Sequence, residues 1–484
     1  MAIDLVRIAD TTPTSAVLLI RATATGVVTV SGALSASANA DTAVRDGIVQ
    51  FDFADLTPGR TYSITVAQAG DSRAMTVRTP EQNPAQFRIC VFACQLYDQW
   101  SQRHWPLMAD KQPDYTICGG DLTYADISQS TQYGRAAVKG IAQYNYAGWL
   151  NAFCQHEQVG TASRQAQDFM AANALHVVTD DHVAFGGCDG ITYDGSGNIT
   201  AGSIRGMDQY RVNVADFPGA TGHGNNPAVA FDMTDVVNML TAARDSQRYY
   251  HYTPNVGRVI GNNKYWSRRI GNIAHLCVLD CISERSAGGT SAYSGDVTHY
   301  ANDDPAKKML SDEQLAALYA DLDLAEADGI PNKIIISGKK TLPYSNEVNT
   351  DGWEAFEVQW AAIAAKIYAD YTGVSWVCFD RHAPSVIWDE SIGHLAVVPC
   401  PASQTSWAGD SGLDYPAEVI WMMRDRFAAT ENGMHVYGVI DIDATGVTYD
   451  IRAINGDVLL ERVRALPGSP GCLLDRTRSP VAVV

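Results

Sequence analysis

Over the first 80 residues apolar and polar positions alternate in short runs, SAVLLIRAT, GVVTVSG, GIVQFDFADL, TYSITVAQ and RAMTVRT, separated by Gly, Pro, Asp and Ser. Period-two alternation sends every second side chain to one face, and turn residues at regular intervals fold such strands back on one another. Residues 1–80 are therefore expected to form a small all-β sandwich, with EQNPAQ (81–86) as the linker that follows. From residue 87 the rhythm changes. FRICVFACQ is an apolar run suited to a strand buried on both faces, HWPLMADKQ is a short helical candidate, and PDYTICGGD is a second buried strand ending in a Gly-Gly-Asp turn. The same alternation recurs where a helix carrying Leu315, Leu318, Tyr319 and Leu322 precedes NKIIISG, and where WEAFEVQWAAIAAKIYADYTG precedes VSWVCFD. Such β-α-β order predicts an α/β domain over 87–484. A stretch dense in Gly, Asn and Asp, at about 186–230, is expected as a surface insertion beside a site, and the alternating tail from Gly433 as strands covering the core.

Composition narrows the function classes. Of 484 residues 46% are hydrophobic and 18% charged, which suits two or three domains with a large core. Lys and Arg total 35 against 54 Asp and Glu, so a net charge of -19 offers no basic footprint for duplex nucleic acid. The opening MAIDLVRIADTT has neither a basic leader followed by an apolar core nor a twin-arginine pair, and no apolar run approaches the ~18 residues of a membrane span. The sequence as written reads as cytoplasmic, and as extracytoplasmic only if a leader has been removed. Ten scattered cysteines, several inside apolar strands, read as reduced, buried thiols. The pairs Cys90/Cys94 and Cys277/Cys281 lack the four clustered ligands of structural zinc.

Candidate chemistry gathers at the carboxyl ends of expected strands, where open α/β sheets bind ligands. FACQ supplies Cys94; GGDLTYAD supplies Asp121, Tyr124 and Asp126; VVTDDH supplies Asp180, Asp181 and His182; FDRHAP supplies Asp380, Arg381 and His382. A Gly-Gly-Asp turn, a capped Asp-Asp-His loop or an Asp-His pair each has an ordinary structural explanation. Four of them in this order, each after an apolar strand, point to a metal cluster. A thiolate, a phenolate and several carboxylates form an electron-donating set suited to a trivalent metal.

The combination resembles the metallophosphoesterase superfamily, and its PhoD-like (alkaline phosphatase D) branch in particular. FACQ stands where that family has Gly-Ser-Cys-Gln, PDYTICGGDLTYAD resembles its Pro-Asp, strand, Gly-Asp, Tyr-Ala-Asp segment, VVTDDH its Trp-Asp-Asp-His and FDRHAP its Gly-Asp-Val-His. HLCVLDCISERS and KKMLSDEQLAAL are similar to its Leu-Asp strand and Met-Leu-Gly-x-x-Gln helix, so that the likeness covers about residues 85–465. DLTPGRTYSITVA in the sandwich resembles a fibronectin type III module. The resemblance implies two packed mixed β-sheets flanked by helices and a small phosphoester substrate, mono- or diester. It further implies iron (Fe3+) accompanied by calcium, and a metal-activated hydroxide as nucleophile. On that reading Cys94, Asp121, Tyr124, Asp180, Asp181, Asp380 and His382 hold metal, with Asp121 bridging and Asp380 and His382 facing the same side of a strand end. His182 protonates the leaving oxygen, while Arg285 and Arg381 offset phosphoryl charge.

Several positions depart from the family's pattern. VAFGG follows Asp-Asp-His where acidic residues and an Asn pair are usual, leaving Asn225 and Asn226 as replacements; Ile282 stands for the first of two arginines; and Phe379 replaces a Gly. These departures favour a second expectation, a non-catalytic binding or surface protein that retains metal on the same fold. SGKK (337–340) matches Ser-x-x-Lys but follows a strand rather than opening a helix, and is set aside. Tyr193, Tyr265 and Trp266 are candidates to stack on a leaving group, although core packing explains them more readily.

Overall fold

A computed structural model describes residues 2–43, 47–95, 104–121, 161–180, 188–204, 237–238, 240–241, 244, 252, 254, 262–288, 299–300, 303–341, 352–380, 384–400, 418–422, 436–453, 458–467 and 472–474. Seven strands come first: β1 (Ile3–Thr12), β2 (Ser15–Ala22), β3 (Gly26–Gly32), β4 (Ala36–Ala40), β5 (Ile48–Phe53), β6 (Thr61–Gln68) and β7 (Asp71–Arg78). They form two antiparallel sheets, in the orders β1-β2-β5 and β4-β3-β6-β7. Leu18 and Ile20 of β2 meet Val28, Val30, Ile64 and Val66 between these sheets. The alternate residues Val17 and Leu19 are buried too, but in a different cluster with Trp105, Phe169 and Met170. The first sheet is thus apolar on both faces because one packs on its own sandwich and the other on the larger unit that follows.

That unit begins with β8 (Gln86–Phe92), α1 (His104–Ala109), β9 (Tyr115–Cys118), α2 (Thr161–Ala172) and β10 (Leu175–Val177). A hairpin, β11 (Cys188–Tyr193) and β12 (Ile199–Ile204), lies where an irregular insertion is expected; residues 205–230 lie outside the described set. The chain continues through β13 (Trp266–Ile270), β14 (Ala274–Val278), the short parallel pair β15 (Ala287–Gly288) and β16 (His299–Tyr300), α3 (Asp312–Ala327), β17 (Asn332–Ser337), α4 (Glu357–Asp370) and β18 (Val374–Cys378). It ends with β19 (Ser385–Asp389), β20 (His394–Val398), β21 (Glu418–Met422), β22 (Val436–Asp443), β23 (Gly446–Ala453), β24 (Val458–Pro467) and β25 (Cys472–Leu474).

Two seven-stranded mixed sheets result. One has the order β10-β9-β8-β22-β23-β24-β25, the other β13-β14-β17-β18-β20-β19-β21. The tail strands extend the first sheet, with β22 antiparallel to β8, and from there cover the inter-sheet core with Val436, Ile440, Val447 and Tyr449. Period two explains how β8 serves two cores: Phe87, Ile89 and Val91 point to the inter-sheet core, while Cys90 and Phe92 face α1 and α2. Across the inter-sheet layer the Ser375 and Tyr449 hydroxyls lie 2.5 Å apart. In β17 the run Ile334-Ile335-Ile336 is buried on both faces, because α3 and α4 cover the outer side with Leu318, Leu322, Ile363 and Ile367.

Local chemistry fixes these helices. The Ser311 side chain accepts from Gln314 N at the start of α3, where Asp312 and Glu313 sit in the first turn, favourable to the helix dipole. Gln314 then reaches out of the helix: its Oε1 accepts from Asp280 N at 2.9 Å and its Nε2 donates to Asp280 O at 3.0 Å, pinning the chain after β14. Among the described residues no helix is long and apolar enough to cross a membrane.

A buried carboxylate helps to tie the sandwich to the larger unit. Asp10, in β1, accepts from Tyr115 Oη at 2.8 Å and from both Arg268 Nη atoms at 2.8 and 2.7 Å, and lies 3.2 Å from His176 Nε2. Burial alone would push this carboxyl up, but Arg268 and His176 outweigh it and hold it below its ordinary value.

Candidate metal centre

The parallel strands of both sheets deliver their carboxyl ends to one place. Cys94 follows β8, Asp121 follows β9 and Asp180 follows β10 in the first sheet, and Asp380 follows β18 in the second. Each of Asp121, Asp180 and Asp380 offers an oxygen within 4.8 Å of the other two. Two ligand oxygens on opposite sides of an ion, at bonds of about 2.0–2.6 Å, are about 4–5 Å apart. The spacing and the all-carboxylate donor set therefore fit a hard cation held between them.

Backbone geometry shows how the convergence is achieved. Cys94, Asp121 and Asp380 have φ of 56°, 51° and 70°, left-handed values that cost a non-glycine residue about 1–2 kcal/mol each. The turns are locked: Cys94 N donates to Gly120 O at 3.3 Å, Gln95 N to Asp121 O at 2.9 Å and Gly119 N to Phe92 O at 2.7 Å. Strain held in place at three strand ends that share one centre has the character of a built functional site. The two glycines before Asp121 are required by contact. A Cβ on Gly119 would lie 2.0 Å from the Phe379 ring, and one on Gly120, with φ of +121°, would lie 2.2 Å from Asp180 Cβ. Phe379 thus occupies the space that Gly119 leaves open.

The strand ends earlier than the sequence suggests. β18 stops at Cys378 and Asp380 has a left-handed backbone; His382, expected to face the same side as Asp380, lies outside the described residues. Tyr124, Asp126, Asp181, His182, Asn225, Asn226, Arg381 and His382 lie outside the described residues. Arg285 is 1% exposed in the turn after β14, where its carbonyl accepts from Gly190 N of the hairpin. Ile282, at the position of the missing arginine, is buried, and its N–H donates to Asp280. Tyr193 and Tyr265 use their hydroxyls internally, on Ser283 O and Asp321 Oδ2, and Trp266 packs against His176 in the core.

The Cys94 sulfur lies 3.8 Å from Asp121 Oδ2 and is fully buried. Burial pushes this thiol well above its ordinary range, a hydrogen bond with Cys400 adds to the effect, and Asp121 and Asp180 push in the same direction. A thiolate at Cys94 would therefore need a cation beside it, and uptake of a metal through this sulfur would release a proton. The described cysteines Cys90, Cys94, Cys118, Cys277, Cys281, Cys378 and Cys400 are buried and form no disulfide among the described residues, as the scattered usage suggests. Burial raises Cys281 to about 11 and Cys90 and Cys378 to about 12, which makes these thiols inert packing groups.

The residue that sequence reasoning passed over is Lys339. Its Nζ lies 2.8 Å from Asp180 Oδ1 and 3.0 Å from Asp380 Oδ1, with a fully buried side chain. It belongs to the SGKK segment, set aside as a chance match to Ser-x-x-Lys. The useful signal was its position: Ser337-Gly338-Lys339 follows an apolar parallel strand, as the four ligand segments do. Cys400, two residues beyond β20, fits the same rule.

No protein-family model matches the chain, and no curated protein matches it in sequence. Solved structures do match. PhoD superposes with a TM-score of 0.70 at 14% identity, over 97% of this chain and 91% of PhoD. A purple acid phosphatase from yellow lupin (Lupinus luteus) seeds gives 0.52 at 10% identity, over 94% of this chain and 72% of that one.

Proposed function

Since the chain has the PhoD-like metallophosphoesterase fold, we propose that it is a metal-dependent phosphoester hydrolase acting on a small phosphomonoester or phosphodiester. The observation that carries this reading is the meeting of Asp121, Asp180 and Asp380 at the ends of strands from both sheets, with Asp121 and Asp380 held in left-handed backbone. A fold shared without a site would have no reason to maintain that strain.

On this reading Asp121, Asp180, Asp380 and Cys94 hold the metal, joined by Tyr124, Asp181 and His382. Iron, with calcium as companion, suits the sulfur, phenolate and carboxylate donors. When bound, the metal supplies Lewis acidity, which activates water and draws charge from the phosphoryl oxygens. The chain's own residues do the remainder: buried strand ends fix the geometry and exclude bulk water, His182 gives a proton to the leaving oxygen, and Arg285 and Arg381 meet phosphoryl charge. The sandwich, with its β1-β2-β5 and β4-β3-β6-β7 sheets, is read as a fibronectin-III-like module followed by the linker 81–86. One observation favours the non-catalytic alternative, a lysine ammonium on two of the three carboxylates.

The test is hydrolysis of bis(p-nitrophenyl) phosphate and p-nitrophenyl phosphate by the native protein and by Asp121→Asn, with metal content measured by element-specific mass spectrometry. A native rate at least about 100-fold above the variant is expected from loss of a metal ligand. Equal, background-level rates would establish the non-catalytic alternative.

A further inference from the structure

We propose that Lys339 is a built-in cation that takes the place of one metal ion, so that this centre binds a single metal ion per chain. The inference rests on the metallophosphoesterase reading of the same site and changes what that site contains.

Three observations carry it. The first is position: the ammonium lies 2.8 Å from Asp180 and 3.0 Å from Asp380, between strand ends contributed by the two sheets. Paired metals in dinuclear hydrolytic sites stand about 3.5–4 Å apart and share carboxylates in this way. An ammonium bonded to both oxygens fills one such position. The second is construction, since Lys339 is held rather than draped. Its N–H donates to Ser337 Oγ at 3.2 Å, and the same hydroxyl donates to Lys339 O at 2.7 Å. Trp353 Nε1 secures that hydroxyl at 3.1 Å, and Trp353 N donates to Lys340 O at 3.1 Å. Gly338 lets the turn pass close to Thr179 O, where even a Cβ would be 3.1 Å away. These bonds fix the backbone from which the Lys339 side chain starts, and burial at 0% exposure confines the side chain itself.

The third is charge. Asp121 and Asp180 are 1% and 0% exposed and the Asp380 side chain 16%, so the anionic charge of the described cluster is largely desolvated and must be met locally. A lysine at 0% exposure is equally costly without carboxylates. Lys339 neutralises one unit of the charge on Asp121, Asp180 and Asp380, and a single divalent ion meets the other two. A second metal would have to displace a buried ammonium that has been built into place.

The experiment is metal counting in the full chain. Wild type and Lys339→Gln are purified without a metal-affinity tag, equilibrated with Mn2+, and measured as equivalents per chain by mass spectrometry, with circular dichroism to establish that both are folded. One equivalent in wild type and two in the variant are expected. Two in wild type overturns the inference. One in both chains overturns the substitution while leaving the metallophosphoesterase reading intact, and none in either overturns both. Should Lys339→Gln not fold, the wild-type protein decides alone by electron paramagnetic resonance: an uncoupled Mn2+ spectrum saturating at one equivalent is expected, and a spin-coupled pair overturns the inference.

Discussion

Gly119→Ala is the sharpest test of how the centre is held together. The added methyl carbon would stand 2.0 Å from Cγ and Cδ2 of Phe379 and 2.5 Å from Cδ1. An ordinary carbon–carbon contact is about 3.5 Å, so ring and methyl must separate by about 1.5 Å. Phe379 is 0% exposed and lies in the inter-sheet core beside Cys378, so the ring has no open side toward which to move. Overpacking of this kind costs about 1–3 kcal/mol. Displacement would pass directly to Asp380, the next residue, whose left-handed backbone leaves it little latitude. A misplacement on the order of 1 Å costs about 100-fold in rate. The assays are the thermal midpoint by calorimetry, metal content and hydrolysis of bis(p-nitrophenyl) phosphate, on Gly119→Ala, Phe379→Leu and the double variant. The expected outcome is a lower midpoint with weakened metal retention in Gly119→Ala, and partial recovery of both when the ring is removed. A Gly119→Ala protein with wild-type midpoint and metal content would refute the close contact. A double variant no better than Gly119→Ala would show that the damage does not run through Phe379.

Two further outcomes follow from buried polar groups away from the centre. Asp10→Asn leaves Arg268 buried against a neutral partner, and breaking a buried charge pair costs about 3–5 kcal/mol; limited proteolysis across 81–86 should become faster than in wild type, while an unchanged cleavage rate would show that the tie carries no load. His394, fully buried among Trp360 and Trp376 with Thr341 Oγ1 at 3.1 Å, has its pKa lowered by burial from 6.5 to about 3. Between these values the unfolded chain takes up a proton that the folded chain refuses, so this contribution is intact above pH 6.5 and lost as pH falls toward 3, by up to about 1.4 kcal/mol per unit. His394→Gln should flatten the acid limb of a denaturation series measured from pH 7 to 4, and an unaltered slope would assign acid sensitivity to other groups.

Much of this protein was legible in the order of its residues. Alternation in SAVLLIRAT and TYSITVAQ gave strands, the apolar runs FRICVF and NKIIIS gave strands buried on both faces, and the spacing of Leu315, Leu318, Tyr319 and Leu322 gave a helix. These are local signals, set by which face of a short segment meets water. The strand-end rule likewise brought Cys94, Asp121, Asp180 and Asp380 into view as a set. What it could not convey is which residue stands beside which, because that depends on strand order. β8, β9 and β10 lie in one sheet and β17 and β18 are neighbours in the other, so Lys339 meets Asp380 across adjacent strands and only the packing of the two sheets brings it onto Asp180. Phe379 looked like a bare departure until Gly119, 260 positions earlier, proved to be the space it fills. Sequence by itself determined the elements and the kinds of ligand available, since both are written within a few residues. The tertiary structure alone decided the charge balance of the centre and the contacts that strain it, because those arise between segments hundreds of residues apart.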